Sequence, residues 1–140
     1  MNTMPLVYPL TIKVNVPEQV LKDILCTALE GGTNYWLCGE RVQRDRHGYT
    51  RLIRPSDAEM GLRNLQPFPV DQFKPGFDPK ADITLQTVLR GLELVAGGAL
   101  PQRADLMGNV MRIVVDAHDF DASDADVIVQ LGFFGDVIYS

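Results

Sequence analysis

The sequence predicts an α+β domain: a small antiparallel sheet, made of an N-terminal strand and an arginine-rich hairpin, with about four helices packed on one face. Three observations lead there. Residues 10–16 (Leu-Thr-Ile-Lys-Val-Asn-Val) alternate apolar and polar with β-branched side chains, the period of a half-buried strand. Residues 35–42 and 49–53 read as two strands reversed by Asp45-Arg46-His47-Gly48, where glycine permits a tight turn. Apolar residues then recur at helical spacing before and after this hairpin.

Pro17 ends the first strand and can open a helix, with Asn15 and Glu18 spaced as a capping pair. Val20, Leu21, Ile24, Leu25, Ala28 and Leu29 form one apolar stripe over about four turns. One glycine of Gly31-Gly32 can end that helix by taking a positive φ without a Cβ penalty. Residues 55–80 carry Pro67, Pro69, Pro75 and Pro79 among Phe68, Phe73 and Phe77. That composition excludes a long helix or a central strand and predicts a long loop pinned to the core or to a partner.

Thr84 is placed to cap a second helix, whose buried face is Leu85, Val88, Leu89, Leu92, Val95 and Ala96 and which Gly97-Gly98 stops. A third begins at Pro101 and runs through Leu106, Val110, Met111 and Val114. Ser123 and Asp126 have the spacing of a capped start for the last helix, which is apolar nearly all round and therefore expected at the centre of the core. No repeat or low-complexity tract divides the chain, so residues 1–140 are expected to form one domain.

A chain of 140 residues, 46% hydrophobic and 22% charged, is an ordinary globular composition. At that length it can bury roughly 70% of its unfolded surface without disulfides or metals. No run approaches the ~20 apolar residues of a membrane span, and the first residues lack the features of a signal peptide, so the expected location is the cytosol, without membrane association. Cys26 and Cys38 lack metal-site or redox spacing and are read as free buried thiols. A net charge of -5 argues against direct nucleic-acid binding, although Arg41, Arg44, Arg46, Arg51 and Arg54 crowd one segment and aspartates dominate the last third.

Three segments carry a family resemblance: Thr27-Ala28-Leu29-Glu30-Gly31-Gly32-Thr33-Asn34-Tyr35-Trp36, Val88-Leu89-Arg90-Gly91-Leu92-Glu93-Leu94, and the stretch from Asp124-Ala125-Asp126 through Gln130-Leu131-Gly132-Phe133-Phe134-Gly135 to Tyr139. Through them the chain resembles a widespread group of small proteins encoded by bacteriophages, prophages and plasmids. The resemblance implies a mobile-element accessory protein, acting in the host bacterial cytosol, and supplies no catalytic residues. The chain departs from that pattern in ending with Ser140 where relatives tend to carry glycine, and the Pro/Phe-rich segment has no counterpart in it.

The candidate ligand-binding residues are Glu30, Asn34, Tyr35, Trp36, Arg41, Arg51 and Arg54. An asparagine amide both donates and accepts, an adjacent aromatic ring stacks on a base, and arginines fork onto phosphates. Along a strand, Asn34 and Trp36 would share one face and Tyr35 the other. Glu30 is an acid at a helix end, where the dipole does not favour it. The structural alternative makes Tyr35 and Trp36 core anchors, Asn34 a turn cap and the arginines a solvated edge. Asp119, Asp121 and Ser123 have part of a calcium-loop spacing, but Asp124 and Gln130 stand where glycine and a bidentate glutamate are required, so no metal is expected.

No catalytic motif surrounds His47 or His118, Gly31-Gly32 follows a helix instead of preceding one, and a Glu30–Glu40 carboxylate pair has no further support. The sequence therefore reads as a non-catalytic binder without a cofactor, most concretely a sponge that sequesters a nucleotide-derived signalling molecule of host immunity. The alternatives are an inhibitor that binds a host defence protein, anti-CRISPR-like, with its acidic third mimicking phosphates, and an enzyme of unrecognised mechanism. Pockets of small ligand traps often form across symmetric interfaces, which adds a homo-oligomer to the expectations.

Overall fold

A computed structural model of the chain describes residues 5–11, 13–33, 35–37, 61–62, 68–112 and 120–140. They build a helical fold: α1 (Glu18–Thr27), α2 (Leu85–Ala96), α3 (Ala104–Met111) and α4 (Ala122–Phe134). Among the described residues the predicted antiparallel sheet does not form. Residues 13–16 have no strand pairing, and the strand pairing among the described residues is a two-residue antiparallel bridge between β1 (Gly61–Leu62) and β2 (Ile83–Thr84). The alternation in residues 10–16 is real, yet a strand needs a neighbour for its backbone groups, and none of the described residues pairs with residues 13–16. Residues 38–42 of the first strand of the expected hairpin, its turn and its second strand lie outside the described residues.

Helix α4 is the centre, as its apolar sequence predicts, with Ala125, Ile128, Val129, Leu131 and Phe134 buried. It packs against α2, α1 and the turn after α1. Its N-cap is Asp121, two residues before the expected Ser123: the Asp121 side chain accepts from Asp124 N–H at 2.8 Å, and Asp124 accepts from Asp121 N–H at 3.3 Å. Arg103 ties α3 to this cap through Nη2 to Asp124 Oδ1 at 2.7 Å while its fork holds Asp105. Those hydrogen bonds, the Asp105 one first, push the guanidinium further toward its charged form, and Arg103 in turn holds the Asp105 carboxyl below the usual range.

Thr84 caps α2 as predicted, its hydroxyl accepting from Gln86 N–H at 3.2 Å while Thr87 Oγ1 accepts from Thr84 N–H at 3.0 Å. The helices α1 and α3 differ from expectation at their starts. Pro17 is the N-cap of α1 and no side chain caps it, so the Asn15–Glu18 pair is not used. Pro101 and Gln102 form a turn before α3 begins at Ala104.

The two helices α2 and α4 cross at backbone contact. A Cβ on Gly132 would overlap the Thr87 carbonyl, and one on Gly91 would overlap the Ile128 carbonyl. Gly32 meets the Ala122 carbonyl in the same way. Neither Gly31 nor Gly32 takes a positive φ, so the expected left-handed cap is not used, and it is Gly32 alone whose missing Cβ permits a close approach. The left-handed cap is Gly135, φ +85°, at the end of α4.

Within the Pro/Phe-rich loop, residues 68–80 lie against the end of α4. Lys74 N–H donates to the Phe134 carbonyl at 2.9 Å, one of the carbonyls a helix end leaves without an internal partner. Phe68 is buried, Phe73 is partly so, and both pack their rings on Phe133 and Phe134. Phe77 lies beneath the Arg90 guanidinium, 3.6 Å from its ring centre, and Arg90 also donates to the Gly76 carbonyl. Phe68 and Phe73 thus pack this part of the loop on the core, while Phe77 holds to the exposed Arg90.

Candidate functional site

The end of α1 widens into a π turn over Ala28–Gly32, a local form frequent at functional sites. Both the backbone N–H and the hydroxyl of buried Thr33 return to the Ala28 carbonyl, at 2.8 and 3.0 Å. Thr33 in turn accepts from Trp36 N–H at 3.1 Å and Leu37 N–H at 2.7 Å. Residues 35–37 are therefore a turn, not the start of a strand. The expected alternation fails, and Tyr35 and Trp36 converge on one group.

That group is Asp126, buried on the second turn of α4. Trp36 Nε1–H donates to its Oδ1 at 2.6 Å and the Tyr35 hydroxyl to its Oδ2 at 2.5 Å. Gln130, one turn further and 0% exposed, donates to Oδ1 at 3.0 Å and to the Tyr139 carbonyl at 3.0 Å. Its Oε1 accepts from the N–H groups of Ile138 and Tyr139, at 2.9 and 2.8 Å. No ion pair among the described residues includes Asp126. Among the described residues its carboxyl oxygens are met by neutral donors in fixed positions, the partners that a buried polar group requires.

Trp36 is only 3% exposed. Its indole lies parallel to the Tyr139 ring, 5.6 Å between centres and 5° between planes, with Phe134 at 5.4 Å and Phe68 at 6.1 Å. No room remains on it for a planar ligand. Tyr35 differs: its hydroxyl is anchored on Asp126, but the residue remains 55% exposed. Burial of the hydroxyl end, followed by the hydrogen bond to Asp126 and its charge, pushes the phenol up to about 12, while Gln130 opposes the shift.

The phenol ionises later in the folded chain than in the unfolded one, where its value is 10.0. The stability it contributes is thus complete below pH 10 and is lost as pH rises through about 12. Ultraviolet tyrosinate absorbance is expected to show one tyrosine titrating late, returned toward the ordinary value by Asp126→Asn. A late phase unchanged by that substitution would assign it to another residue.

Of the other candidate ligand-binding residues, Glu30 is exposed on the π turn. Asn34, Arg41, Arg51 and Arg54 lie outside the described residues, as do His47, His118, Cys38 and Glu40. Cys26 is free and partly buried. Burial pushes its thiol up, and the Glu30 and Asp23 carboxylates add to the shift, so it is a poor nucleophile. Asp121 and Asp124 are committed to capping α4 and to Arg103.

Sequence reasoning had not joined Asp126, Gln130 and Tyr139 to Tyr35 and Trp36. The available signal was an acid and an amide four residues apart on an otherwise apolar helix, together with an indole N–H that needs an acceptor when buried. Three segments singled out in the sequence also meet here: Tyr35 and Trp36 bind Asp126, Gly32 abuts Ala122 just before the third segment, and Gly91 abuts Ile128. No helix among the described residues is long and apolar enough to cross a membrane. No protein family, curated protein or solved structure matches the chain.

Proposed function

We propose that the protein is a mobile-element accessory factor that binds a nucleotide-like small molecule without turning it over, a sponge for a signal of host immunity. The observation that carries the reading is Tyr35: an exposed ring held in one orientation by its hydroxyl, directly before the segment that contains Arg41, Arg51 and Arg54. A pre-oriented aromatic face followed by permanently charged forks has the chemistry that stacks a base and holds phosphate. Trp36 no longer serves as the stacking residue in this reading; it fixes the platform from below. Phosphate mimicry by the C-terminal acids loses support, because Asp121, Asp124 and Asp126 already have partners within the fold. The mobile-element role rests on the family resemblance.

The test is native mass spectrometry of the protein after incubation with lysate from immune-activated bacteria, followed by heat release of whatever is bound. An intact nucleotide-like mass is expected, and a chemically altered one would indicate an enzyme. Tyr35→Ala should weaken binding of the released molecule roughly 10- to 100-fold, the loss of one base–aromatic stack. Arg51→Ala should weaken it as well. Unchanged binding in both variants would end this reading.

A further inference from the structure

The segment before α1 is the least accounted for in the fold. Leu6, Val7, Tyr8 and Leu10 are 82–85% exposed, and no hydrogen bond among the described residues uses the backbone of residues 5–11. Every even position of the sequence there is apolar or aromatic: Leu6, Tyr8, Leu10, Ile12, Val14 and Val16. Val14 and Val16 pack against the core and line an open groove of about 490 Å³ with Leu89, Leu92 and Val110. The stripe is thus covered at its C-terminal end and bare at Leu6, Tyr8 and Leu10.

We propose that residues 5–11 form a strand that pairs antiparallel with the same strand of a second copy, making a two-fold dimer, with both stripes laid over the open grooves. The backbone selects the edge. In an extended strand the N–H and C=O of one residue point to one side and those of the next residue to the other. Pro5 and Pro9 fall at odd positions, so the odd edge of residues 5–11 keeps donors only at Val7 and Thr11. The even edge, through Leu6, Tyr8 and Leu10, keeps every donor. Only the even edge offers a continuous ladder, and the breaks at Pro5 and Pro9 disfavour pairing on the other edge, so two strands form a closed pair and not an open stack.

Charge and area agree with a second copy as the occupant. Pro5-Leu6-Val7-Tyr8-Pro9-Leu10-Thr11 has no charged side chain, so self-pairing brings no like charges together in a molecule of net charge -5. Covering Leu6, Tyr8 and Leu10 in both copies removes roughly 100–150 Å² per side chain, and with the surface they cover the total reaches about 1,200–1,800 Å², the range of a stable interface.

The test is sedimentation of the full chain and of proline variants chosen by parity. The full chain should sediment as a dimer that dissociates on dilution. Tyr8→Pro removes an even-edge donor and should give a monomer, whereas Val7→Pro, which also removes an exposed apolar side chain, should remain dimeric. Helical circular dichroism should be unchanged in both, since neither residue touches the core. A monomeric full chain, or a dimer that persists in Tyr8→Pro, would overturn the proposal.

Discussion

Gly132→Ala is expected to lower stability by about 3 kcal/mol or more, a large part of the ~5–15 kcal/mol that holds an ordinary domain folded. The new methyl would fall on the Thr87 carbonyl oxygen, with the Thr87 carbonyl carbon at 2.8 Å and Gly91 N at 3.1 Å. Each of these is backbone within α2, so no side chain can rotate away, and the two helices must separate. Alanine's better helix propensity returns at most about 1 kcal/mol, which does not offset the overlap.

The control lies on α3. Among the described residues, a Cβ on Gly108 meets only the end of the Arg112 side chain, at 3.5 Å, so Gly108→Ala should gain a few tenths to about 1 kcal/mol from propensity alone. Urea denaturation should show the midpoint falling sharply for Gly132→Ala, and likewise for Gly91→Ala, while it rises for Gly108→Ala. Equal midpoints for Gly132→Ala and the parent chain would mean that α2 and α4 do not cross at backbone contact.

The crossing also shows what the sequence could and could not reveal. Helices α2 and α4 were legible because their information is local: a periodic stripe with a threonine cap in one, an almost wholly apolar run ended by glycine in the other. That Gly91 and Gly132 face each other's backbone is not local. A glycine inside a helix reads only as a weak point until its neighbour in space is known. The same limit explains the N-terminal segment, where a period of two predicts a strand but cannot supply the partner that would make it one. Asn-Tyr-Trp was read as strand residues with alternating faces. The turn set by Thr33 overrides that, and it is what lets Tyr35 and Trp36 reach one carboxylate. Of the candidate ligand-binding residues, Trp36 proved to be a core anchor, as the structural alternative had it, while Tyr35 combines an anchored hydroxyl with an exposed ring.

Asp126 should be the most sensitive polar position in the chain, and two substitutions distinguish its acceptor role from its charge. Asp126→Ala leaves the Trp36 indole N–H and one Gln130 donor buried with no acceptor at Oδ1. Each buried orphan costs about 1–3 kcal/mol, so the expected loss is ~3–5 kcal/mol. The Tyr35 hydroxyl adds little, because it can turn to the Tyr139 carbonyl 3.1 Å away or to water. Asp126→Asn keeps an oxygen toward Trp36 and Gln130 and places the amide against the Tyr35 hydroxyl, which can accept from it. That variant should lose only about 1 kcal/mol, the difference between a charged and a neutral acceptor. Trp36→Phe removes one donor to the carboxylate and leaves Tyr35 and Gln130 in place. In a double-mutant cycle with Asp126→Ala, the two losses should therefore fall well short of additive, because the alanine no longer penalises an absent indole N–H. Strict additivity would mean that the indole and the carboxylate do not meet.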